Sequence, residues 1–365
     1  MAKTYRITVI PGDGIGQEVT EQAIKVLRTI SKLDRKINFD IMIASWGTEY
    51  YLEHGVVMPP DAIEILKGTD AILLGAVGDR RVPDNITVGN LVLTLRRSLD
   101  QYVNLRPVRR LPGVPCPLKE EKDVDMVFVR ENIEGEYANV GGSVHCGSNH
   151  QVVMQTNVFT RWETERIMRY AFSLARKRRK KVTSVTKSNA LKHSMVFWDD
   201  VFDQVAKDFP DVETNIVYAD AMAVHLIKSP EIFDVIVASN LLGDILTDLA
   251  SVLQGGLGLS PSANINPERL FPSMFEPVHG SAPELKGKNI ANPIATIWAA
   301  ALMLDHFGES LWCQRIIDAI SGILVKGKMR TKDLGGTSTT VDIGQAITEE
   351  IERLWEIGLH AWNVY

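Results

Sequence analysis

Cysteine is scarce in this 365-residue chain. The three present, Cys116, Cys146 and Cys313, fall at no spacing that a zinc cluster or a disulfide framework would use. They read as reduced thiols of a cytoplasmic protein. Long apolar runs are missing too: no stretch approaches the roughly eighteen residues that a membrane span needs. The N-terminus runs straight into a strand-like segment without an apolar leader. Nor does one sign of charge dominate, since 45 acidic residues against 40 basic ones give −5, which argues against a nucleic-acid binder driven by bulk charge. No internal repeat and no low-complexity tract interrupts the chain. A further absence lies in "ITVIPGDGIGQEV". The dinucleotide fingerprint G-x-G-x-x-G wants a glycine where Gln17 stands, and the extra glycine, Gly16, comes one residue early. No acidic residue closes a second strand about twenty residues later, because "RKINFDIMIA" ends in apolar residues. A Rossmann fold is excluded on this reading, and any nucleotide must be held elsewhere.

What is present is a soluble globular composition, 45% hydrophobic and 23% charged, with length for two domains of ordinary size. Strand-like "YRITVI", a helical pattern from about Ile15 to Lys32, "INFDIMIA" and "DAILLGAV" alternate, which predicts an α/β layer architecture. A polar loop, "GDRRVPDNITVGN", and the amphipathic helix "LVLTLRRSLDQY" follow. From "VNLRPVRRL" onward the chain turns β-rich. "ANVGGSVHCGSNHQVVMQ", with glycine punctuation and alternating polarity, predicts a protruding hairpin arm. "GGLGLSPSANINP" marks a crossing between domains, after which the remainder reads as largely helical. The basic run "RKRRKK", Arg176 to Lys181, is either a nucleic-acid patch or a solvated helix C-terminus; cations favour the dipole there, and the acidic net charge supports the second.

Asp244 and Asp248 in "SNLLGDILTDLAS" are four residues apart on an apolar helical pattern, so both carboxylates leave one face. Such a pair is either a hard-cation site for Mg²⁺ or Mn²⁺ or two exposed acids at a helix end. Asp220 begins the helical pattern of "VYADAMAVHL", where an N-cap is the simpler role. Arg96 lies in "LTLRRSLDQY", and Arg106 and Arg130 end apolar strands; a guanidinium fork there suits a bidentate carboxylate or a structural ion pair. Tyr137 ends "VFVRENIEGEY", and Lys187 sits at a strand-to-helix turn in "TSVTKSNALK"; each is a candidate acid or base. Gly280, Ser281 and Ala282 form a small-residue loop in "FEPVHGSAPELKGKNIANP" able to accept an adenosine face. Glu284 beyond it is placed to take a ribose hydroxyl and to repel a 2′-phosphate, which favours NAD over NADP.

Taken together, "IPGDGIG", "NLRPVR", "RENIEGEY", "TKSNAL", "GDILTDLAS" and "FEPVHGSAPE…ANP" resemble the β-decarboxylating dehydrogenases of 2-hydroxy acids. That family includes isocitrate, isopropylmalate, D-malate and tartrate dehydrogenases, and the likeness runs in order over nearly the whole chain. It implies a two-domain α/β fold distinct from Rossmann. The NAD-binding large domain would be built from residues 1–101 and 256–365, with a dimerisation and metal/substrate domain over 102–255. It also implies a cytoplasmic homodimer with the β-arm at its interface. Within that resemblance Arg96, Arg106 and Arg130 are the substrate carboxylate clamp. Tyr137 is the proton donor, and Lys187 is the general base for the hydroxyl. Asp220, Asp244 and Asp248 are the Mg²⁺ or Mn²⁺ ligands, with Lys187 and Asp220 supplied by the other subunit. His279, Gly280, Ser281, Ala282, Glu284 and Asn292 are the NAD contacts.

The substrate follows from the segment before Arg96. Asn90 stands where isocitrate enzymes place a serine, and Gly89, Val92 and Leu93 stand where isopropylmalate enzymes place a glutamate and two leucines. The flanking "DQYVNLRPVRRLPGVPCPL" and "PSANINPERLFPS" look most like the tartrate and D-malate branch. The expected substrate is a C4 diacid, tartrate going to oxaloglycolate or D-malate to pyruvate and CO₂. Members of that type also use K⁺, for which no ligand set is readable here. Isopropylmalate oxidation, a non-catalytic regulatory subunit of the same fold, and nucleic-acid binding through "RKRRKK" are the competing readings.

Overall fold

The computed structural model of the chain describes residues 2–362. Its strands are β1 (Lys3–Gly12), β2 (Ile37–Ile43), β3 (Ala71–Ala76), β4 (Val103–Arg109), β5 (Asp125–Glu131), β6 (Gly135–Val144), β7 (Val152–Val158), β8 (Lys181–Thr186), β9 (Glu213–Tyr218), β10 (Val235–Ala238), β11 (Pro261–Ile265) and β12 (Ser273–Pro277). Ten of them form one sheet in the order β2-β1-β3-β12-β11-β4-β5-β10-β8-β9, while β6 and β7 pair separately as an antiparallel hairpin. The flanks of the sheet are parallel and its centre, β12-β11-β4-β5, is antiparallel. Helices cover the parallel strands, so β3 and β10 are buried at every position and read as continuous apolar runs. The helix Gly16–Leu33 buries Val19, Ala23, Val26, Leu27 and Ile30, one stripe at three- and four-residue spacing. The helix Ile294–His306 is apolar nearly all round because it lies in the main core.

Two expectations need correction. Residues 255–267, read as a break between domains, contribute β11 to the middle of the sheet, and Ser273–Pro277, read as part of a helical remainder, contribute β12. Both strands are short and carry buried polar side chains. Asn264 bonds Asn104, Asn132 and Glu276, so the apolar periodicity that announces a strand is absent. The basic run also differs in placement. Only Arg176 belongs to the helix Arg161–Arg176; the rest turns into β8. Its charges meet carboxylates: Arg176 and Lys180 face Asp211, Arg178 bridges Asp125 and Asp234, and Lys181 pairs with Glu213. The three cysteines are unpaired, and among the described residues no helix is long and apolar enough to cross a membrane.

The glycine-rich opening is a packing device. Gly14 adopts φ +58°, and a Cβ there would stand 1.9 Å from the Ser281 carbonyl oxygen; the Ile15 amide donates to that same oxygen at 2.8 Å. Asp13 ties the turn down by accepting from the Thr48 amide and hydroxyl at 2.9 and 2.8 Å and from the Gly78 amide at 2.9 Å. Gly14→Ala is therefore expected to destabilise the fold by more than about 1 kcal/mol through combined backbone strain and clash. It should also displace the 279–282 loop. Thermal unfolding and amide exchange over residues 279–282 of the variant check both effects; a native melting temperature with native exchange contradicts them.

Candidate active site

The candidate residues collect where the parallel strands end. Arg130 is the penultimate residue of β5, Lys187 follows β8, and Asp220 lies in the first turn of the helix Ala219–Lys228 directly after β9. Asp244 and Asp248 lie on the helix Asn240–Ser251, which begins two residues after β10. Carboxyl ends of parallel strands are where α/β sheets bind ligands, because chain crossings leave a crevice there. Arg106 reaches the same place from antiparallel β4, and Arg96 from the helix Val92–Ser98.

A cavity of about 730 Å³ has Arg96, Arg106, Arg130, Tyr137 and Asp244 among its lining residues. The Arg130 guanidinium bonds Asp244 Oδ1, Arg106 Nη2 lies 3.3 Å from the same oxygen, and the Tyr137 hydroxyl donates to Asp244 Oδ2 at 3.0 Å. Arg106 Nη1 also donates to Thr247 Oγ1 at 2.6 Å and lies 3.5 Å from Asp248 Oδ1. Arg96 pairs with Glu276 at 2.9 Å. Burial pushes the Asp244 carboxyl up, but Arg130, Arg106 and the Tyr137 hydroxyl outweigh it and hold it below its ordinary value. Asp248 shifts the other way: burial raises it, Asp244 adds to the rise, and Arg106 offsets only part. Burial, then the Asp244 charge, raises Tyr137, so its phenol keeps its proton at neutral pH. Burial pulls Arg106 and Arg130 down, with Arg96 adding to it in both and Arg106 adding to it in Arg130, and Asp244 opposing. The three guanidiniums face three carboxylates, Asp244, Asp248 and Glu276, so the group is balanced in charge, and a cation that engaged Asp244 and Asp248 would leave guanidinium forks for a diacid.

Lys187 and Asp220 stand apart from this group. They pair with each other at 2.9 Å, with side chains 32% and 71% exposed, and neither lines the cavity. Among the described residues of one chain no three His, Cys, Asp or Glu side chains stand close enough to hold a metal ion. The all-oxygen set of Asp244 and Asp248, one helical turn apart, fits a hard divalent cation in donor chemistry but is short of ligands. Asp248 is more than half exposed, so the missing ligands have open access to it.

The late loop lies beside the arginines: a second cavity, of about 150 Å³, is lined by Arg96, Arg106, Glu276, His279 and Gly280. His279 Nδ1 lies 2.9 Å from the Gly280 carbonyl oxygen, while its Nε2 is enclosed without a partner. Burial lowers the His279 pKa, so the imidazole is neutral. Nothing lies within 4 Å of a Cβ built on Gly280, and Ala282 holds φ +38°. An open glycine backbone beside an unsatisfied ring nitrogen fits a polar planar ligand. Asn292 is already engaged, donating to Asp333 at 3.0 Å and accepting from the Ile294 amide at 3.0 Å. Glu284 is exposed, 3.9 Å from Arg80.

Several contributors went unread in the sequence. Glu276 and Asn240 hold Arg96 and Arg130, and Thr247 holds Arg106. Arg97 and Glu136 line the larger cavity, and Glu136 Oε2 is enclosed without a partner. These pairings join residues 110 to 180 positions apart, which no local motif encodes; only the adjacency of Arg97 to Arg96 and of Glu136 to Tyr137 was a signal.

Comparison with known proteins extends this geometry. The family model for isocitrate/isopropylmalate dehydrogenase matches residues 6–351. The chain is 48% identical to a probable tartrate dehydrogenase/decarboxylase of Bacillus subtilis (strain 168), over 96% of this chain and 99% of that one. It is 49% identical to the decarboxylating D-malate dehydrogenase of Escherichia coli (strain K12), over 97% and 100%. Its fold superposes on the crystal structure of an isocitrate dehydrogenase from Methylococcus capsulatus with a TM-score of 0.86 at 35% identity, covering 95% of this chain and 99% of the other.

Proposed function

The chain belongs to the isocitrate/isopropylmalate dehydrogenase family, and from that premise we propose that it oxidises a C4 2-hydroxy dicarboxylate, tartrate or D-malate, with NAD and Mn²⁺ or Mg²⁺. The observation that carries this reading is the gathering of Arg96, Arg106, Arg130, Tyr137 and Asp244 around one cavity. The names of its relatives, tartrate dehydrogenase/decarboxylase and D-malate dehydrogenase, support the C4 substrate. Residues 1–101 and 256–365 form the nucleotide-binding domain on this reading, and 102–255 the substrate and dimerisation domain. The active unit is a homodimer. Support comes from exposed apolar side chains around the isolated Lys187–Asp220 pair: Ile216, Tyr218, Val224 and Ile227, with Ile245 on the aspartate helix and Val152, Val153 and Met154 on the hairpin.

Each residue then has one task. The Arg96, Arg106 and Arg130 forks hold the substrate carboxylates and set which carbon faces the nucleotide. Lys187 Nζ of the second subunit takes the substrate hydroxyl proton. Tyr137 Oη, protonated at neutral pH, donates to the carbon left by departing CO₂. Asp244 and Asp248, with Asp220 of the second subunit, would hold the cation, and His279, Gly280, Ser281, Ala282, Glu284 and Asn292 the nucleotide. The cation supplies polarisation of the substrate oxygens, and NAD accepts the hydride. Before either binds, Asp244 is paired with Arg130 and Arg106; an aspartate drawn to a cation leaves those guanidiniums free for the diacid.

A substrate panel with NAD tests this reading. D-malate or a tartrate stereoisomer should turn over fastest, with Mn²⁺ required and EDTA abolishing the rate. Val88, Val92 and Leu93 on the cavity wall favour one competitor, isopropylmalate. Faster turnover of that acid would replace the C4 assignment, and an undiminished rate after chelation would remove the metal.

A further inference from the structure

We propose that Asn240 is a positioning residue that aims the Arg130 guanidinium at the substrate without adding a carboxylate to the one it already meets in Asp244, and that joins it to the root of the β6–β7 hairpin. The inference rests on the diacid-binding reading above. Asn240 is fully buried at the start of the aspartate helix. Its Oδ1 accepts from Arg130 Nε at 3.1 Å and from Nη2 at 2.7 Å, while its Nδ2 donates to the Glu134 carbonyl oxygen at 3.1 Å. Only this orientation of the amide serves both neighbours, since the guanidinium can only donate and the carbonyl can only accept.

The choice of partner is the informative feature. A buried guanidinium ordinarily faces a carboxylate, as Arg96 faces Glu276 at 2.9 Å. Arg130 is equally buried, yet a neutral amide oxygen fills its Nε/Nη2 edge. The bonds fix direction without neutralising charge, and the Nη1 side stays turned toward Asp244 and the cavity. Gly243, one turn along the same helix, admits the Arg130 stem; a Cβ there would stand 2.7 Å from Arg130 Cγ.

The other end of the amide reaches the hairpin. Glu134 immediately precedes β6, and its carboxylate accepts from the Thr160 amide at 2.7 Å, where the chain returns from β7. Glu131 braces the same turn by accepting from the Ile133 amide at 2.7 Å and the Glu134 amide at 3.0 Å. Gly135, at φ +71°, passes so close that a Cβ there would lie 3.3 Å from Asn240 Cβ. A shift at the hairpin root is therefore felt by the amide and, through it, by Arg130.

Asn240→Asp separates this role from a merely structural one. It is isosteric and accepts from Arg130 at least as well, but it adds a second carboxylate and cannot donate to Glu134. In the full-length enzyme with saturating NAD and Mn²⁺, KM for the diacid should rise at least about 10-fold, kcat should fall less, and KM for NAD should stay constant. Asn240→Ser keeps neutrality but loses reach; it should raise the diacid KM only about 3-fold and speed amide exchange over residues 132–142. A structural role predicts the reverse order, with Asp the better-tolerated variant. A wild-type diacid KM in folded Asn240→Asp overturns the proposal, as do parallel changes in the KM of diacid and NAD. Should Asn240→Asp fail to fold, unchanged diacid KM and unchanged exchange in Asn240→Ser overturn it instead. Wild-type enzyme preferring another acid of the panel refutes the C4 reading alone, because every panel acid carries carboxylates for Arg130 and serves equally as the probe. With no turnover at all, the same comparison is read from equilibrium binding of D-malate.

Discussion

Asp248→Asn is expected to lower kcat/KM for the hydroxy-diacid on the order of 10³-fold while the protein stays folded, since losing about 4 kcal/mol of transition-state charge stabilisation corresponds to three decades of rate. The substitution keeps shape and removes one formal charge from the proposed cation ligands, which number fewer than three among the described residues of one chain. Its effect on stability points the opposite way. Burial raises the folded-state pKa of Asp248, with Asp244 adding to the rise. A carboxyl raised on folding contributes stability below its ordinary pKa and loses it as pH climbs through the folded value. At neutral pH the ionised form opposes folding, and an amide removes that opposition. The 3.5 Å contact with Arg106 counters weakly, because the Asp248 side chain is 57% exposed and solvent screens the pair. Activity should therefore collapse while the melting temperature holds or rises slightly. Rates at saturating Mn²⁺ and calorimetric unfolding at acidic and at neutral pH check both halves. Near-normal turnover would remove Asp248 from the ligand set.

That divergence bears on how the fold and site could be read from residues alone. β1 and β3 were legible as apolar runs, β2 from the alternation of Ile37, Phe39 and Ile41 with polar residues, and the helix Gly16–Leu33 from a buried stripe that a period of 3.6 records directly. The hairpin was legible from glycines and alternation. β11 and β12 were not, because Asn264, Ser262, Ser273 and Glu276 are buried in mutual hydrogen bonds instead of among apolar side chains. Their composition reads as loop. At the site, residue type, strand ends and four-residue spacing singled out Arg96, Arg106, Arg130, Tyr137, Asp244 and Asp248 as candidates with structural alternatives open, the family resemblance supplied their roles, and all six stand together in one chain. Their supports escaped notice because polar satisfaction in a buried site is arranged across the fold: Glu276 lies 180 residues from Arg96, and Asn240 lies 110 from Arg130.

Co-assembly of two inactive variants should regain about a quarter of wild-type activity, because the proposed shared site places Lys187 and Asp248 in different halves of each site of a twofold dimer. Lys187→Ala removes the proposed base and Asp248→Asn a proposed cation ligand, so either homodimer alone is expected to be inactive. In a mixed dimer, one site combines the intact Asp248 of the first protomer with the intact Lys187 of the second; the other site inherits both defects. Random assembly makes half the dimers mixed, and one of two sites works in each, so one half times one half gives the expected quarter. Were Lys187 to act within its own chain, every site in every dimer would carry one defect and nothing would be regained. The geometry behind the expectation is that Lys187 is bound to Asp220 at 2.9 Å and reaches neither Tyr137 nor Asp244 among its bonded neighbours. Apolar residues stand exposed on the elements around it. Mixing after partial denaturation, with the heterodimer isolated by differential tags, gives the clean measurement. Half the wild-type rate per purified mixed dimer is the expected value, and a rate at background would return Lys187 to its own protomer and leave the shared site without support.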